Sequence, residues 1–236
     1  DKKPKGWQNI QDVLSHSLNT GAAFVESKLG NENFKKYMLA FGVGEETGID
    51  LPNETPGMIG NLNSPRDLEY AQASFGQGIA MSPIMIGRAI GAIANGGILV
   101  TPHVVSKINY KVGLSKEITY ENEKRVIKKE TADEVTRLMV HAVDTSLLSG
   151  AEKLPNFSVA AKTGTAQIAK EGGGGYYDDK FLHSFIGYFP AYNPKFLIFL
   201  FTKEPKSVEF AQNTLAKPFF ELTKFLINYY EIAPDR

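Results

Sequence analysis

Apolar residues recur every three or four positions along the first two thirds of the chain, a period that predicts helices. Over residues 7–40 the pattern predicts two helices, separated by a polar run whose residue types favour caps and turns. Residues 68–95 return to a helical pattern, with Pro83 suited to a first turn. Between them, residues 41–65 are rich in Gly, Pro and Asn and predict an irregular loop. A further helix is predicted over 130–146.

The last third of the chain changes to short segments of β-branched and aromatic residues, which are typical of strands. Three strands are predicted over 157–167, 181–190 and 196–203. A tight turn at 191–195 joins the last two, so this pair should be antiparallel. With a closing helix over about 217–227, the order predicts an α+β fold in which helices flank an antiparallel sheet.

Length and composition allow one sizeable hydrophobic core, because the chain has 236 residues and 42% of them are hydrophobic. We expect one partial domain over residues 1–236, helical over about 7–150 and sheet-forming, with its closing helix, over about 155–232. The longest apolar stretch, 84–100, is interrupted by Arg88 and Asn95 and is too short to span a bilayer. We therefore expect the chain as given to be soluble, with any membrane anchor outside it.

Charge and residue types exclude several classes of function. Lys plus Arg and Asp plus Glu number 26 each, so the chain lacks the positive surplus with which proteins bind nucleic acid. The absence of cysteine excludes a disulfide framework, a thiolate zinc site and a cysteine nucleophile. The four histidines do not have the spacing of metal ligands, and we predict neither a metal nor another cofactor.

The stretch Lys162-Thr163-Gly164-Thr165-Ala166-Gln167 is the most informative candidate for chemistry. On a strand, Lys162 points to one face while Thr163 and Thr165 point to the other. At a sheet edge, these side chains and the free backbone groups can meet a ligand that lies along the edge. The lysine offers a positive charge and the hydroxyls can bind a carboxylate. The alternative is an edge strand with a lysine that prevents edge-to-edge pairing and a glycine bulge.

A second candidate is Ser17-Leu18-Asn19, which taken alone predicts only a helix cap. A Ser-x-Asn motif and a Lys-Thr-Gly motif occur together in penicillin-binding proteins and β-lactamases. Here they follow in that chain order, 145 residues apart.

Further segments support a relationship to the same proteins. They are Phe41-Gly42-Val43-Gly44, Thr47-Gly48-Ile49-Asp50-Leu51-Pro52, Glu54, Gly76-Gln77-Gly78, Ser82-Pro83, Ile93-Ala94-Asn95-Gly96-Gly97, Ser184-Phe185-Ile186-Gly187-Tyr188-Phe189-Pro190 and Asn193-Pro194-Lys195. With them, the chain from about residue 7 to its last residue resembles the transpeptidase domain of the class B penicillin-binding proteins. Glu204-Pro205-Lys206 and the ending Ile232-Ala233-Pro234-Asp235 resemble the septal, cell-division type.

The resemblance implies an acyl transferase. In this family a serine attacks the D-Ala-D-Ala end of a peptidoglycan stem peptide, and β-lactams imitate that end. It implies that Ser17 shuttles a proton and that Asn19 hydrogen-bonds the acylating peptide. Lys162 would keep the site positive, and Thr163 with Thr165 would bind the terminal carboxylate. The Thr165 backbone N–H would supply half of an oxyanion hole.

Two further residues of the Lys162 stretch complete the expected substrate-binding set: Gly164 and Gln167. The resemblance also implies an extracytoplasmic location at the outer face of the cytoplasmic membrane. Its expected partners are the stem peptide, β-lactams, a cell-wall glycosyltransferase and divisome proteins.

The family's nucleophile motif, Ser-x-x-Lys, is missing from this sequence. No serine has a lysine three residues on, and the only formal match, Thr214 with Lys217, we interpret as chance. We expect the nucleophile helix and N-terminal strands of the sheet on a segment upstream of this chain. Ala161 stands where the family often has glycine, and Leu18 replaces the aspartate of the class A β-lactamase triplet.

Three hypotheses remain open for the function. The first is a D,D-transpeptidase whose nucleophile serine lies outside this chain. The second is an inactive remnant that only binds or acts as a scaffold. The third is a β-lactam hydrolase, which would need a base for deacylation that the sequence does not reveal.

Overall fold

The computed structural model describes residues 6–120 and 123–236. The α-helices of these residues are α1 (Ile10–Ser15), α2 (Asn19–Leu29), α3 (Asn31–Ala40), α4 (Asp67–Ser74), α5 (Pro83–Ala94), α6 (Lys129–Thr145) and α7 (Ala211–Tyr229). The strands are β1 (Ile98–Leu99), β2 (Lys107–Asn109), β3 (Ser115–Glu117), β4 (Lys124–Arg125), β5 (Ala160–Ala169), β6 (Tyr176–Phe189) and β7 (Phe196–Lys203). None of the described helices is long and apolar enough to cross a membrane.

The chain divides into two compact units: the chain up to Phe24 with Asp133–Arg236, and Val25–Ala132. The first contains an antiparallel sheet in the order β5-β6-β7 and the helices around it. The second contains α3, α4, α5 and two small antiparallel pairs, β1 with β4 and β2 with β3. The predicted α+β class is confirmed. The grouping into one partial domain, helical over 7–150 and sheet-forming over 155–232, stays a prediction.

Aromatic packing between the sheet and α7 forms the core of the first unit. Phe185 on β6 stacks on Phe219 of α7 at 4.3 Å between ring centroids and meets the edge of Phe220 at 6.1 Å. All three side chains are fully buried. Because side chains alternate along a strand, Tyr188 points to the opposite face, where its hydroxyl lies 2.7 Å from Thr136 Oγ1 of α6. The sheet is thus covered by α7 on one face and α6 on the other.

The second unit is organised by a small core and by two acidic side chains that close loops. Leu62, Tyr70 and Ala73 are buried together, and the Tyr70 hydroxyl donates to the Leu62 carbonyl at 2.8 Å. The Glu54 carboxylate accepts the backbone N–H groups of residues 47 and 48, and Asp50 accepts those of residues 104 and 105. Both acids belong to the loop that resembles the family, and their bonds stabilise its irregular backbone.

Two predictions of helix boundaries were wrong. Residues 7–40 form three helices instead of two, because Gly30, at φ 82°, interrupts the second stretch between α2 and α3. The closing helix begins at Ala211, six residues before the predicted start, and Pro218 lies inside it. Burial of Leu215, Ala216 and the phenylalanines after Pro218 outweighs the backbone hydrogen bond that the proline removes.

The sheet and α7 pack closely around Gly187 on β6. A Cβ at this position would lie 2.6 Å from the Ala161 Cβ and 2.8 Å from Phe219 Cζ. Gly187→Ala should therefore lower the free energy of unfolding by about 2 kcal/mol or more, as overpacking does in a dense core. Urea denaturation measures the change. The control is Gly87→Ala in α5, where no atom lies within 4 Å, and which should be neutral or stabilising by up to about 1 kcal/mol. Equal effects in the two variants would contradict this account.

Candidate active site

Strand β5 lies at one edge of the three-stranded sheet and carries the Lys-Thr-Gly motif. It pairs only with β6 among the described strands, so its outer edge is open to a ligand. Cross-strand partners are Lys162 with Ile186, Thr163 with Phe185, Gly164 with Ser184, Thr165 with His183 and Gln167 with Phe181. The predicted edge position of this motif is confirmed for the described part of the chain.

The two faces of β5 present different chemistry, as strand alternation requires. Lys162 points to the face that α6 covers, because its neighbour two residues back, Ala160, pairs with Tyr188. Thr165 points to the α7 face, where its Oγ1 accepts a hydrogen bond from the Ala211 backbone N–H at 3.0 Å. The positive charge and the Thr165 hydroxyl thus reach the open edge from opposite sides of the strand.

The turn between α1 and α2 brings Ser17 to Lys162. The Ser17 N–H donates to the Leu14 carbonyl at 3.2 Å, and the Leu18 N–H donates to the Val13 carbonyl at 3.0 Å. These two bonds define a Schellman motif, in which the residue at the position of Ser17 adopts the left-handed conformation. Ser17 does so with φ 54°, although glycine is usual there. Leu18 is buried and anchors the turn, whereas Ser17 itself is exposed.

A direct hydrogen bond joins the two predicted motifs. Lys162 Nζ donates to Ser17 Oγ at 2.7 Å and to the Thr163 carbonyl oxygen at 3.0 Å. Burial of this side chain lowers the pKa of the Lys162 ammonium to about 8. At neutral pH about a tenth of such a group is uncharged, which suits proton transfer in both directions.

The other predicted site residues, Asn19, Gly164 and Gln167, have different surroundings. Asn19 is the first residue of α2, two positions after Ser17, and is exposed. In the described residues no hydrogen bond joins it to β5. A Cβ on Gly164 would lie 2.5 Å from Ser184 Oγ, so any larger residue here would require the Ser184 hydroxyl to rotate away. Gln167 donates through Nε2 to the Tyr177 carbonyl at 3.2 Å and is thus turned toward β6.

The formal Thr214–Lys217 match does not form a catalytic pair. Thr214 Oγ1 lies 2.9 Å from His183 Nδ1 and 3.0 Å from the Ala211 carbonyl oxygen. Lys217 points away, 3.8 Å from Glu221 in an exposed ion pair. The interpretation of this match as chance is consistent with both contacts.

Sequence reasoning missed His183, which lies directly across from Thr165 and is completely buried. Its ring nitrogens contact Thr214 Oγ1 and the Glu209 carbonyl oxygen. The available signal was its place in the largely apolar stretch 181–189, which pairs with the Lys-Thr-Gly strand. Metal spacing was the wrong criterion for this histidine, because its partners are a hydroxyl and a backbone carbonyl.

Comparisons with known proteins identify the family of this chain. The family described as "Penicillin binding protein transpeptidase domain" matches residues 1–223, and the chain belongs to that family. Stage V sporulation protein D of Bacillus subtilis is 31% identical over 217 residues, covering 90% of this chain and 33% of that protein. A peptidoglycan D,D-transpeptidase FtsI homolog of Mesostigma viride is 28% identical over 245 residues, covering 96% of this chain and 41% of that protein.

A solved structure shows the same fold. Penicillin-binding protein 3 of Mycobacterium tuberculosis, complexed with aztreonam, matches with a TM-score of 0.88 at 24% identity, covering 98% of this chain and 55% of that one. The predicted fold is therefore confirmed, as is the recognition of a penicillin-binding protein transpeptidase domain. The chain spans about a third of the length of the first curated relative it matches.

The lowered pKa of Lys162 should appear in the pH dependence of stability. The unfolded chain keeps this proton up to about pH 10.5, while the folded chain loses it near pH 8, so the unfolded state binds more protons between these values. The free energy of unfolding should therefore rise with pH across this window, by roughly 2–3 kcal/mol relative to Lys162→Met. Urea denaturation of both proteins at pH 7 and pH 10 measures the difference. Parallel pH profiles would contradict the lowered pKa.

The left-handed turn at Ser17 should distinguish two substitutions that both remove the hydroxyl. Ser17→Gly relieves the positive φ, whereas Ser17→Ala keeps the strain. The glycine variant should be more stable than the alanine variant by about 1 kcal/mol. Thermal unfolding of the two proteins compares them directly. An alanine variant as stable as the glycine variant would mean that the turn relaxes to another conformation.

Proposed function

We propose that this chain forms most of the acyl-transfer site of a peptidoglycan D,D-transpeptidase that acts outside the cytoplasmic membrane. The observation that carries the proposal is the 2.7 Å hydrogen bond between Lys162 and Ser17, two motif residues 145 positions apart. It occurs beside an open strand edge that also bears the threonine hydroxyls. The names of relatives such as the D,D-transpeptidase homolog of Mesostigma viride support the same activity.

The nucleophile of the proposed reaction lies outside this sequence. No serine here has a lysine three residues on, and the Thr214–Lys217 match is not a pair. A serine on another segment attacks the carbonyl carbon of the penultimate D-Ala, the C–N bond to the last D-Ala breaks, and an ester forms. An amine of a neighbouring strand then attacks the ester, forms the new amide and releases the serine.

Ser17 and Lys162 transfer the protons of these steps. Because Lys162 Nζ donates to Ser17 Oγ, the Ser17 hydroxyl proton is directed to another acceptor. The departing D-Ala nitrogen is that acceptor in the first step. Lys162 then replaces the proton on Ser17, and the lowered pKa of the lysine makes this transfer less uphill. In the second step the incoming amine loses its proton along the same route.

The edge of β5 binds the donor peptide. An extended peptide lies antiparallel to the strand, with its terminal carboxylate at the hydroxyls of Thr163 and Thr165 and near the positive charge of Lys162. The Thr165 N–H supplies one donor to the oxyanion, and Asn19 binds the peptide amide. Gly164 allows the backbone to approach closely, and Gln167 continues the same strand beyond Thr165 with its side chain turned toward β6. β-Lactams occupy the same edge.

The complete protein would act together with other proteins of the cell envelope. A cell-wall glycosyltransferase and divisome proteins are its expected partners, since the family resemblance is to the septal type. By the same resemblance, the complete protein would act at the outer face of the cytoplasmic membrane.

Intact mass after incubation with benzylpenicillin tests the activity. The chain alone should stay unlabelled, whereas a protein that joins it to the family's upstream segment should carry one label, on that segment. In this complete protein, Ser17→Gly should slow acylation by about 10²-fold while the turn is preserved. A label on the chain alone would show that the nucleophile is within it. An unlabelled but folded complete protein would favour the binding-only remnant, and rapid loss of the label would favour the β-lactam hydrolase.

A further inference from the structure

A buried histidine holds the start of α7 behind the substrate edge. His183 Nε2 lies 3.0 Å from the Glu209 carbonyl oxygen, which can only accept, so Nε2 carries a hydrogen. His183 Nδ1 lies 2.9 Å from Thr214 Oγ1 in the first turn of the helix. The His183 ring on β6 therefore contacts α7 at two points: the backbone just before the helix and the first turn of the helix.

The first residue of α7 is in turn bonded to the proposed carboxylate site. The residue before the helix, Phe210, makes no side-chain capping bond. Instead, the Ala211 N–H donates to Thr165 Oγ1 at 3.0 Å, so a strand residue caps the helix. The 19-residue helix presents the positive end of its dipole to this hydroxyl.

This contact determines what the Thr165 hydroxyl can do. A hydroxyl has one hydrogen to donate, and the oxygen already accepts from Ala211. Its hydrogen is therefore free for an acceptor on the exposed side of the residue. The nearby positive helix end further favours a negatively charged acceptor.

We propose that three positioning residues make the Thr165 hydroxyl a donor to the substrate carboxylate. They are His183, Thr214 and Ala211, the last through its backbone N–H. This inference rests on the proposed function, in which Thr165 binds that carboxylate. None of the three touches the reacting atoms. They set the orientation of one hydroxyl through a chain of contacts that runs from β6 to α7 and then to β5.

The alternative is that these contacts only stabilise the fold. In that case, their loss would slow acylation by every β-lactam to the same extent. A positioning role instead predicts a loss that depends on the carboxylate of the ligand. A β-lactam and its methyl ester, which lacks the negative charge, therefore serve as paired probes.

Ala211→Pro removes the single N–H in question. Proline is well tolerated at the first position of a helix, and Phe210 at φ −112° and ψ 135° already has the conformation favoured before proline. In the complete protein, the acylation rate with the carboxylate probe should fall about tenfold, as expected for a lost charge-assisted hydrogen bond. The rate with the methyl ester should change less than about twofold. Gln212→Ala, in the same turn with its N–H intact, is the control.

A second variant covers the case in which the proline ring disturbs the buried helix start. Thr214→Val keeps the side-chain volume but removes the hydroxyl that faces His183. It should lower the carboxylate-to-ester rate ratio about threefold. A labelled wild type with unchanged ratios in both variants would overturn this inference alone. A complete wild-type protein that no probe labels would overturn the proposed function and this inference with it.

Discussion

The antiparallel pairing of β5 with β6 is the constraint on which both the core and the site depend. Side chains on paired strands alternate between the two faces, so the register that buries Phe185 against α7 also turns Lys162 toward the α6 face. A slip by one residue would expose the phenylalanine and move the lysine away from Ser17. The packing energy of the core thus holds the charged group in place.

The turn at Ser17 shows a local conflict that the site explains. A left-handed residue without glycine costs about 1–2 kcal/mol, and glycine would fit this Schellman motif better. Glycine, however, has no side chain that could accept the hydrogen bond from Lys162. Strain that persists beside a buried lysine of lowered pKa is the pattern expected where function, rather than stability, selects the residue.

Helix α7 links stability to recognition. Its aromatic face fills the core beneath the sheet, which explains why Pro218 does not end it. Its first N–H lies at Thr165, so the same packing that stabilises the helix also brings a positive helix end to the proposed carboxylate site. The helix start is held there by His183, a residue with no recognisable motif around it.

The sequence alone predicted the elements whose causes are local. Alternation along β5 determined which side chains share a face, and the Ser-x-Asn and Lys-Thr-Gly motifs predicted the candidate site and the family. Local patterns also account for the two wrong helix boundaries: the predicted second helix ran through Gly30, and the predicted closing helix omitted the six residues from Ala211. Only the tertiary structure decided that Ser17 meets Lys162, that Thr165 caps α7 and that His183 holds the helix start. These contacts join residues far apart in the chain, and their distances depend on packing, which no local pattern of residues contains.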